Sequence, residues 1–263
     1  MFKLRIILRY FVALFLCGQV VLAQVQSNEL NIRDELGRRQ GPWQGHFPNG
    51  KIRYQGQFQN DKPLGTFRYF HSDGWQRAEL KHVPENDTVA AIYFLPNKQI
   101  MAQGRFLNNQ RTGLWSFFSD KGAKLVESHF QNGVMHGSSV TYFPGGTIAE
   151  TVDYSNGAKH GAWIQYFENG SIRLQANYIY DKLNGGFRLN YQNGNTQLEA
   201  TYKQSLPDGT WKFFTLQGEL QKEMFYKTGI LENETIYIEL ESEITIPLQP
   251  TGVPVEDVFR SPF

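Results

Sequence analysis

The chain is poor in reactive chemistry. It has a single cysteine, Cys17, only four methionines, and eleven prolines among 263 residues. One cysteine excludes an internal disulfide and any zinc site built on paired thiolates. No HExxH, phosphate-cradling glycine loop or ordered Ser–His–Asp set is present, so no catalytic residue, metal or cofactor is assigned. A formal net charge of +1 gives no electrostatic reason to expect nucleic acid as a partner. An apolar run of the ~20 residues that a spanning helix needs is also missing.

What is plentiful is aromatic: 20 Phe, 13 Tyr and 5 Trp, beside 25 Gly. The first residues read differently from the rest. Lys3, Arg5 and Arg9 precede the apolar stretch Phe11 to Leu22, and Val21-Leu22-Ala23 follows the pattern of a cleavage site. This predicts a signal peptide over 1–23 and an exported protein: periplasmic, outer membrane-associated or extracellular. Cleavage removes the cysteine and three of the 26 basic residues, leaving 23 basic against 25 acidic. Residues 24–36 read as a linker.

From there the chain repeats with a period of 24. Gly41, Gly65, Gly113, Gly137, Gly161, Gly185 and Gly209 open the units. Gly50, Gly74, Gly122, Gly146, Gly170, Gly194 and Gly218 stand at unit position 10, where Lys98 is the one exception. Position 18 holds Phe, His or Tyr throughout. Position 3 holds Trp43, Phe67, Trp115, Trp163, Phe187 and Trp211, interrupted by Ala91 and Ser139. The columns stay in phase over about eight units, 37–232. Unit 89–112 is degenerate, and 82–88 reads as a longer turn.

Each unit reads as a β-hairpin. In GAWIQYFENGSIRLQANYIYDKLN (161–184), Asn169-Gly170 predicts a two-residue type I′ turn. That register sets Trp163 opposite Ala176, Gln165 opposite Leu174 and Phe167 opposite Ile172. Alternation then collects Trp163, Phe167, Ile172, Leu174, Ala176 and Tyr178 on one apolar face. Asp181 to Asn184 form the return turn, and Gly161 is expected to make room for a neighbouring ring. Two strands per unit advance about 10 Å, or roughly 75–80 Å for eight units.

GAWIQYFENG and NGAKHGAW resemble the bacterial MORN-repeat variant, and the tandem array is similar to the YwqK antitoxin-like family. The resemblance spans roughly 37–232. It implies an all-β fold, an elongated, twisted antiparallel β-meander. It also implies a role in protein association, with membrane contact in some eukaryotic cases.

Beyond the array, Thr235 to Ile246 alternates as a capping strand within 233–246, with Glu239, Glu241 and Glu243 on one face. Residues 247–263 read as a proline-containing tail. The aromatic row at position 3 has two readings, a binding surface or the core of the array. His136 and His160 fall at equivalent positions ~10 Å apart, too far to share a zinc that needs both nitrogens within ~2.1 Å, and read as turn residues. Asp61, Asp181 and Asp208 read as Asx-turn residues. Together these features predict a non-enzymatic exported scaffold for a protein partner at the cell envelope. The alternatives are a YwqK-like antitoxin or immunity protein, and an envelope glycan- or lipid-binding module using the aromatic row. A homodimer is left open.

Overall fold

The computed structural model describes residues 29–83 and 87–239. The expected signal peptide, the start of the linker, residues 84–86 of the longer turn, 240–246 of the capping strand and the tail lie outside the described residues. Within them there is no helix. Twenty strands, β1 (Ile32–Arg33) to β20 (Ile230–Ile236), form one antiparallel sheet. Pairing follows chain order in an open meander, except that Lys182–Leu183 and Gly185–Asn190 both lie along Ile172–Ile179, and Leu206–Pro207 and Gly209–Phe214 both along Thr196–Lys203. The degenerate unit keeps the pattern: β6 (Thr88–Phe94) and β7 (Ile100–Leu107) set Ala91 opposite Gly104, as Trp163 is set opposite Ala176.

Asn-Gly has two uses in this fold: Asn132-Gly133 and Asn156-Gly157 form two-residue turns with both φ positive, but Asn169-Gly170 does not. Between β12 (Ala158–Tyr166) and β13 (Ile172–Ile179), Trp163 faces Ala176 and Gln165 faces Leu174, but Tyr166, not Phe167, faces Ile172. Gly170 N–H donates to Phe167 C=O and Phe167 N–H to Ser171 C=O. Gly170 alone has a positive φ, 84°, and Asn169 does not. This is a three-residue loop closed by a left-handed glycine. Asn169 serves another purpose: its side chain accepts the Ser171 N–H at 3.0 Å. Equivalent asparagines reach onward to the next repeat, Asn49 to Ser72 C=O at 3.1 Å and Asn97 to Asp120 C=O at 2.9 Å.

The two-residue turns with both central φ positive lie at the other end of the strands, at Asn60-Asp61, Asn108-Asn109, Asn132-Gly133, Asn156-Gly157, Tyr180-Asp181, Gln204-Ser205 and Thr228-Gly229. The return turn is therefore Tyr180-Asp181, and Lys182–Leu183 already pairs with Tyr178 and Ile179. These turns stack through backbone bonds 22 residues apart, Asp181 N–H to Lys159 C=O and Gly229 N–H to Pro207 C=O among them. Asp61 and Asp181 accept the N–H of Arg39 and Lys159, and Asp208 accepts that of Thr228. All three tie successive repeats together rather than closing their own turns. His136 does the same through Nδ1 to Asn156 N–H, at 3.4 Å.

Just inside the return turns the register slips, except around the longer turn between Val83 and Thr88. Tyr154 faces Lys159 but Val152 faces Trp163, so β12 carries two extra residues and bends there. Gly161 sits at that bulge with φ 116°, a backbone that other residues rarely adopt. A Cβ there would meet Asp153 at 3.0 Å, not a ring. The glycines that accommodate rings are others: a Cβ at Gly104 would lie 2.2 Å from the Trp115 indole, and one at Gly56 2.5 Å from Phe67.

Candidate functional site

Of the six rings at position 3, Phe67, Trp115, Trp163, Phe187 and Trp211 are only 1–4% exposed, and Trp43 is half-buried. They are the core. Each packs on the position-18 ring of its own unit. Phe67, Trp115 and Trp211 also pack on that of the preceding unit, Trp115 between Phe130 (6.5 Å) and Phe106 (5.0 Å) and Trp211 between Tyr226 (5.0 Å) and Tyr202 (5.1 Å). The indole N–H groups of Trp115 and Trp211 donate to Arg105 and Thr201 carbonyls beside the bulges. From Phe67 to Trp211 the row is enclosed, and only Trp43 at its N-terminal end stays half-buried. The binding-surface assignment of these residues gives way to the core reading, because neighbouring rings already cover them.

The core is two clusters, Phe58 to Phe130 and Val152 to Phe213, separated where position 3 is a serine. Ser128 and Ser139 are buried and share a hydrogen bond of 2.7 Å. Beside them Glu150, 6% exposed, accepts the Trp163 indole N–H at 2.7 Å and the Gln165 amide at 2.8 Å. Arg173 donates to Gln165 Oε1 at 2.6 Å. On the opposite face of the same strands, Glu127 accepts from Ser116 at 3.1 Å and Tyr142 at 2.7 Å, and pairs with Lys124 at 2.7 Å. Burial alone would raise Glu127, but those three donors outweigh it and hold the carboxyl below its usual range. Burial and the Glu127 hydrogen bond push Tyr142 up to about 12. These groups satisfy one another, which makes a polar waist rather than a reactive centre. Among the described residues no three His, Cys, Asp or Glu side chains are grouped to hold a metal ion.

The face opposite the rings is the one a partner can reach. Unit positions 4 and 15 pair across every strand and form one continuous row. In its C-terminal part the row reads Gln175, Arg188, Glu199, Lys212, Glu223. Arg188 pairs with Glu199, and Lys212 with Glu223 at 3.4 Å. Beside this ladder runs a low row, Ala162, Asn177, Gly186, Thr201 and Thr210. Together the two rows line a shallow groove of about 610 Å³. A second depression of about 440 Å³ lies over Pro42, Gln57 and Thr66 in the N-terminal part of the same face. Alternation alone leaves this face reading only as mixed. Its signal, alternate basic and acidic residues 11 apart, becomes legible once the register is known.

Both ends of the ring row are capped by cations. Arg39 lies over Phe58 at 3.8 Å and over Trp43 at 6.0 Å, and Lys222 lies over Phe213 at 5.0 Å while pairing with Glu234 at 3.1 Å. The pairing places Glu234 opposite Met224, so β20 closes the apolar face with a charge.

The MORN repeat variant family pattern matches residues 39–60, 159–180 and 207–238. Each match starts at or just before the first strand of a repeat and includes its hairpin turn, and the last runs on through β20. No curated protein matches the chain. Two solved structures of TarM, one of them a mutant S. aureus form titled as a complex with Fondaparinux, alpha-GlcNAc-glycerol and UDP, are similar over 36–39% of this chain and 19–20% of theirs, at 15–17% identity and TM-score 0.29. A GtfA/B complex bound to UDP and GlcNAc overlaps 52% of this chain and 22% of its own, at 11% identity and TM-score 0.18. The chain thus spans about a fifth of the length of these solved chains. Overlaps so partial carry no argument about its activity.

Proposed function

We propose that the chain is a non-enzymatic, exported repeat scaffold that binds another protein at the cell envelope. The observation that carries this reading is the division of labour between the two faces. One is closed by aromatic packing and capped at both ends. The other is an accessible groove whose wall alternates basic and acidic residues over the C-terminal repeats. Repeat sheets of this kind present long surfaces rather than enclosed pockets. The N-terminal pattern of basic residues, apolar run and small residues supports export. The similarity to the YwqK antitoxin-like family supports a narrower version, an immunity protein whose partner is a toxin. A glycan or lipid bound on the ring row finds no support, because the rings are covered.

A photo-crosslinking residue placed at Thr210, in the groove, tests the reading in the producing cell. Expected is a discrete cross-linked envelope protein, together with a mature chain that starts at Gln24. No adduct from Thr210, or a chain retained with Met1, overturns the corresponding half of the proposal.

A further inference from the structure

Three successive return turns in the C-terminal part each carry the same pair of side chains beside the groove. Ile179 stands opposite Lys182, Lys203 opposite Leu206, and Lys227 opposite Ile230. One lysine and one aliphatic flank every turn, and all six residues are exposed, Ile230 by 70%. Directly opposed residues share a face, and alternation from Asn177 and Thr201, which line the groove, puts Ile179 and Lys203 on that same face. Among the described residues none of the three lysines makes an ion pair. Four nearby acids are engaged: Asp181 and Asp208 accept backbone N–H groups, and Glu199 and Glu223 are paired with Arg188 and Lys212, while Glu232 is exposed two residues beyond Ile230. The earlier turns differ. There the opposed pairs are Gln59 and Lys62, Leu107 and Gln110, Gln131 and Val134, and Ser155 and Ala158.

We propose that this rim and the adjoining groove dock an acidic polypeptide segment in which an acidic and an apolar residue recur together about every 10 Å. The inference rests on the scaffold reading and names its surface and the chemistry of its partner. Successive turns are about 10 Å apart, two strand spacings. A polyproline II chain covers that distance in one turn of about three residues and brings the same side chains back to one face, and an α-helix does so in about seven. Free ammonium groups select the acids, and the aliphatic neighbour supplies apolar contact at each step. An anionic membrane fits less well, because its headgroups present no apolar group paired with each charge at a fixed spacing of about 10 Å.

The test uses the purified protein and a fluorescent peptide made of a repeated Glu-Leu-Thr triplet, read by anisotropy at low salt. A helical peptide with the same Glu-Leu pair at heptad spacing forms a second arm, and the first peptide with Lys for Glu is the control. Expected is binding of an acidic peptide at least about tenfold tighter than the control, weakening as salt screens the lysines. Lys182→Glu, Lys203→Glu and Lys227→Glu combined should abolish it, and Ile179→Ser, Leu206→Ser and Ile230→Ser combined should weaken it severalfold. Lys62→Glu, at the equivalent place in a turn with no aliphatic opposite, should leave it unchanged. Equal binding of acidic and basic peptides overturns the proposal. So does indifference to the lysine reversals, or binding to phosphatidylglycerol vesicles with none to either acidic peptide. If cross-linking at Thr210 still captures a protein in that event, the scaffold reading stands and only the rim assignment falls.

Discussion

From Trp43 to Phe130 and from Val152 to Tyr226 the chain fills the same columns of one template with different side chains. The N-terminal half sets glycine against its rings: Gly56 makes space for Phe67 and Gly104 for Trp115. It also lays arginines over them, Arg39 on Phe58 at 3.8 Å and Arg111 on Trp115 at 5.2 Å. The C-terminal half replaces glycine with Ala176 and Ala200 beside Leu174 and Leu198, all buried. Volume is exchanged between neighbouring columns while the packing is kept, as cores tolerate. The surfaces diverge further. The N-terminal turns carry mostly amides and small groups, and the C-terminal turns carry the lysine–aliphatic pairs. The template constrains the ring face and leaves the other face free to vary, so specificity belongs on the latter.

The largest test of this comparison removes one ring from each half. Trp163→Ala and Trp115→Ala each delete a fully buried indole, and each should cost about 3–5 kcal/mol in denaturant unfolding. Trp163→Ala should be the worse, because it also takes a donor from the buried Glu150. Equal losses at both sites would break the distinction between them. Next comes Gly104→Ala, expected to cost about 1–3 kcal/mol by overpacking against Trp115. If it is neutral, the exchange of volume between columns is wrong.

A smaller effect concerns the waist between the clusters. Ser128→Ala with Ser139→Ala should be nearly neutral, whereas either change alone should cost about 1 kcal/mol by leaving a buried hydroxyl unpaired. Additive single losses would show that the two hydroxyls do not depend on each other. The smallest effect is a pH slope in the N-terminal half. Burial holds His82 below its ordinary range, and its Nε2 has no hydrogen-bond partner. The unfolded chain therefore takes up the proton first. Stability is fully present above about pH 6.5 and falls as pH drops toward the lower folded value. His82→Phe should flatten that part of the stability profile, and an unchanged slope would assign it to another group.

Much of the architecture could be read from spacing alone. The period, the strand pairs and the pairing of Trp163 with Ala176 all follow from columns of glycine and rings. The turns could be read only in part, since Asn-Gly has two structural uses and forms a two-residue return turn at Asn132-Gly133 and Asn156-Gly157. At Asn169-Gly170 the asparagine closes an Asx bond and only the glycine is left-handed. Among the two-residue turns, Tyr180-Asp181 and Gln204-Ser205 carry little turn signal, unlike Asn60-Asp61 or Asn132-Gly133. The return turns are also held by acceptors one repeat away, including Asp61, whose carboxyl is kept below its usual range by the Arg39 side chain. The groove was hidden for a related reason. Alternation separates two faces, but the bends at bulges such as Gly161 shape them, and a bulge depends on pairing between distant residues.

The central claim is that the aromatic row is the core and the opposite face the contact surface. Acrylamide quenching tests it most directly, because the five tryptophans divide cleanly: Trp43 and Trp75 are half-buried, and Trp115, Trp163 and Trp211 are buried. In a variant carrying Trp43→Phe and Trp75→Phe, the remaining fluorescence should be blue-shifted and nearly immune to acrylamide. Quenching close to that of a free indole would contradict the account and return the row to the surface.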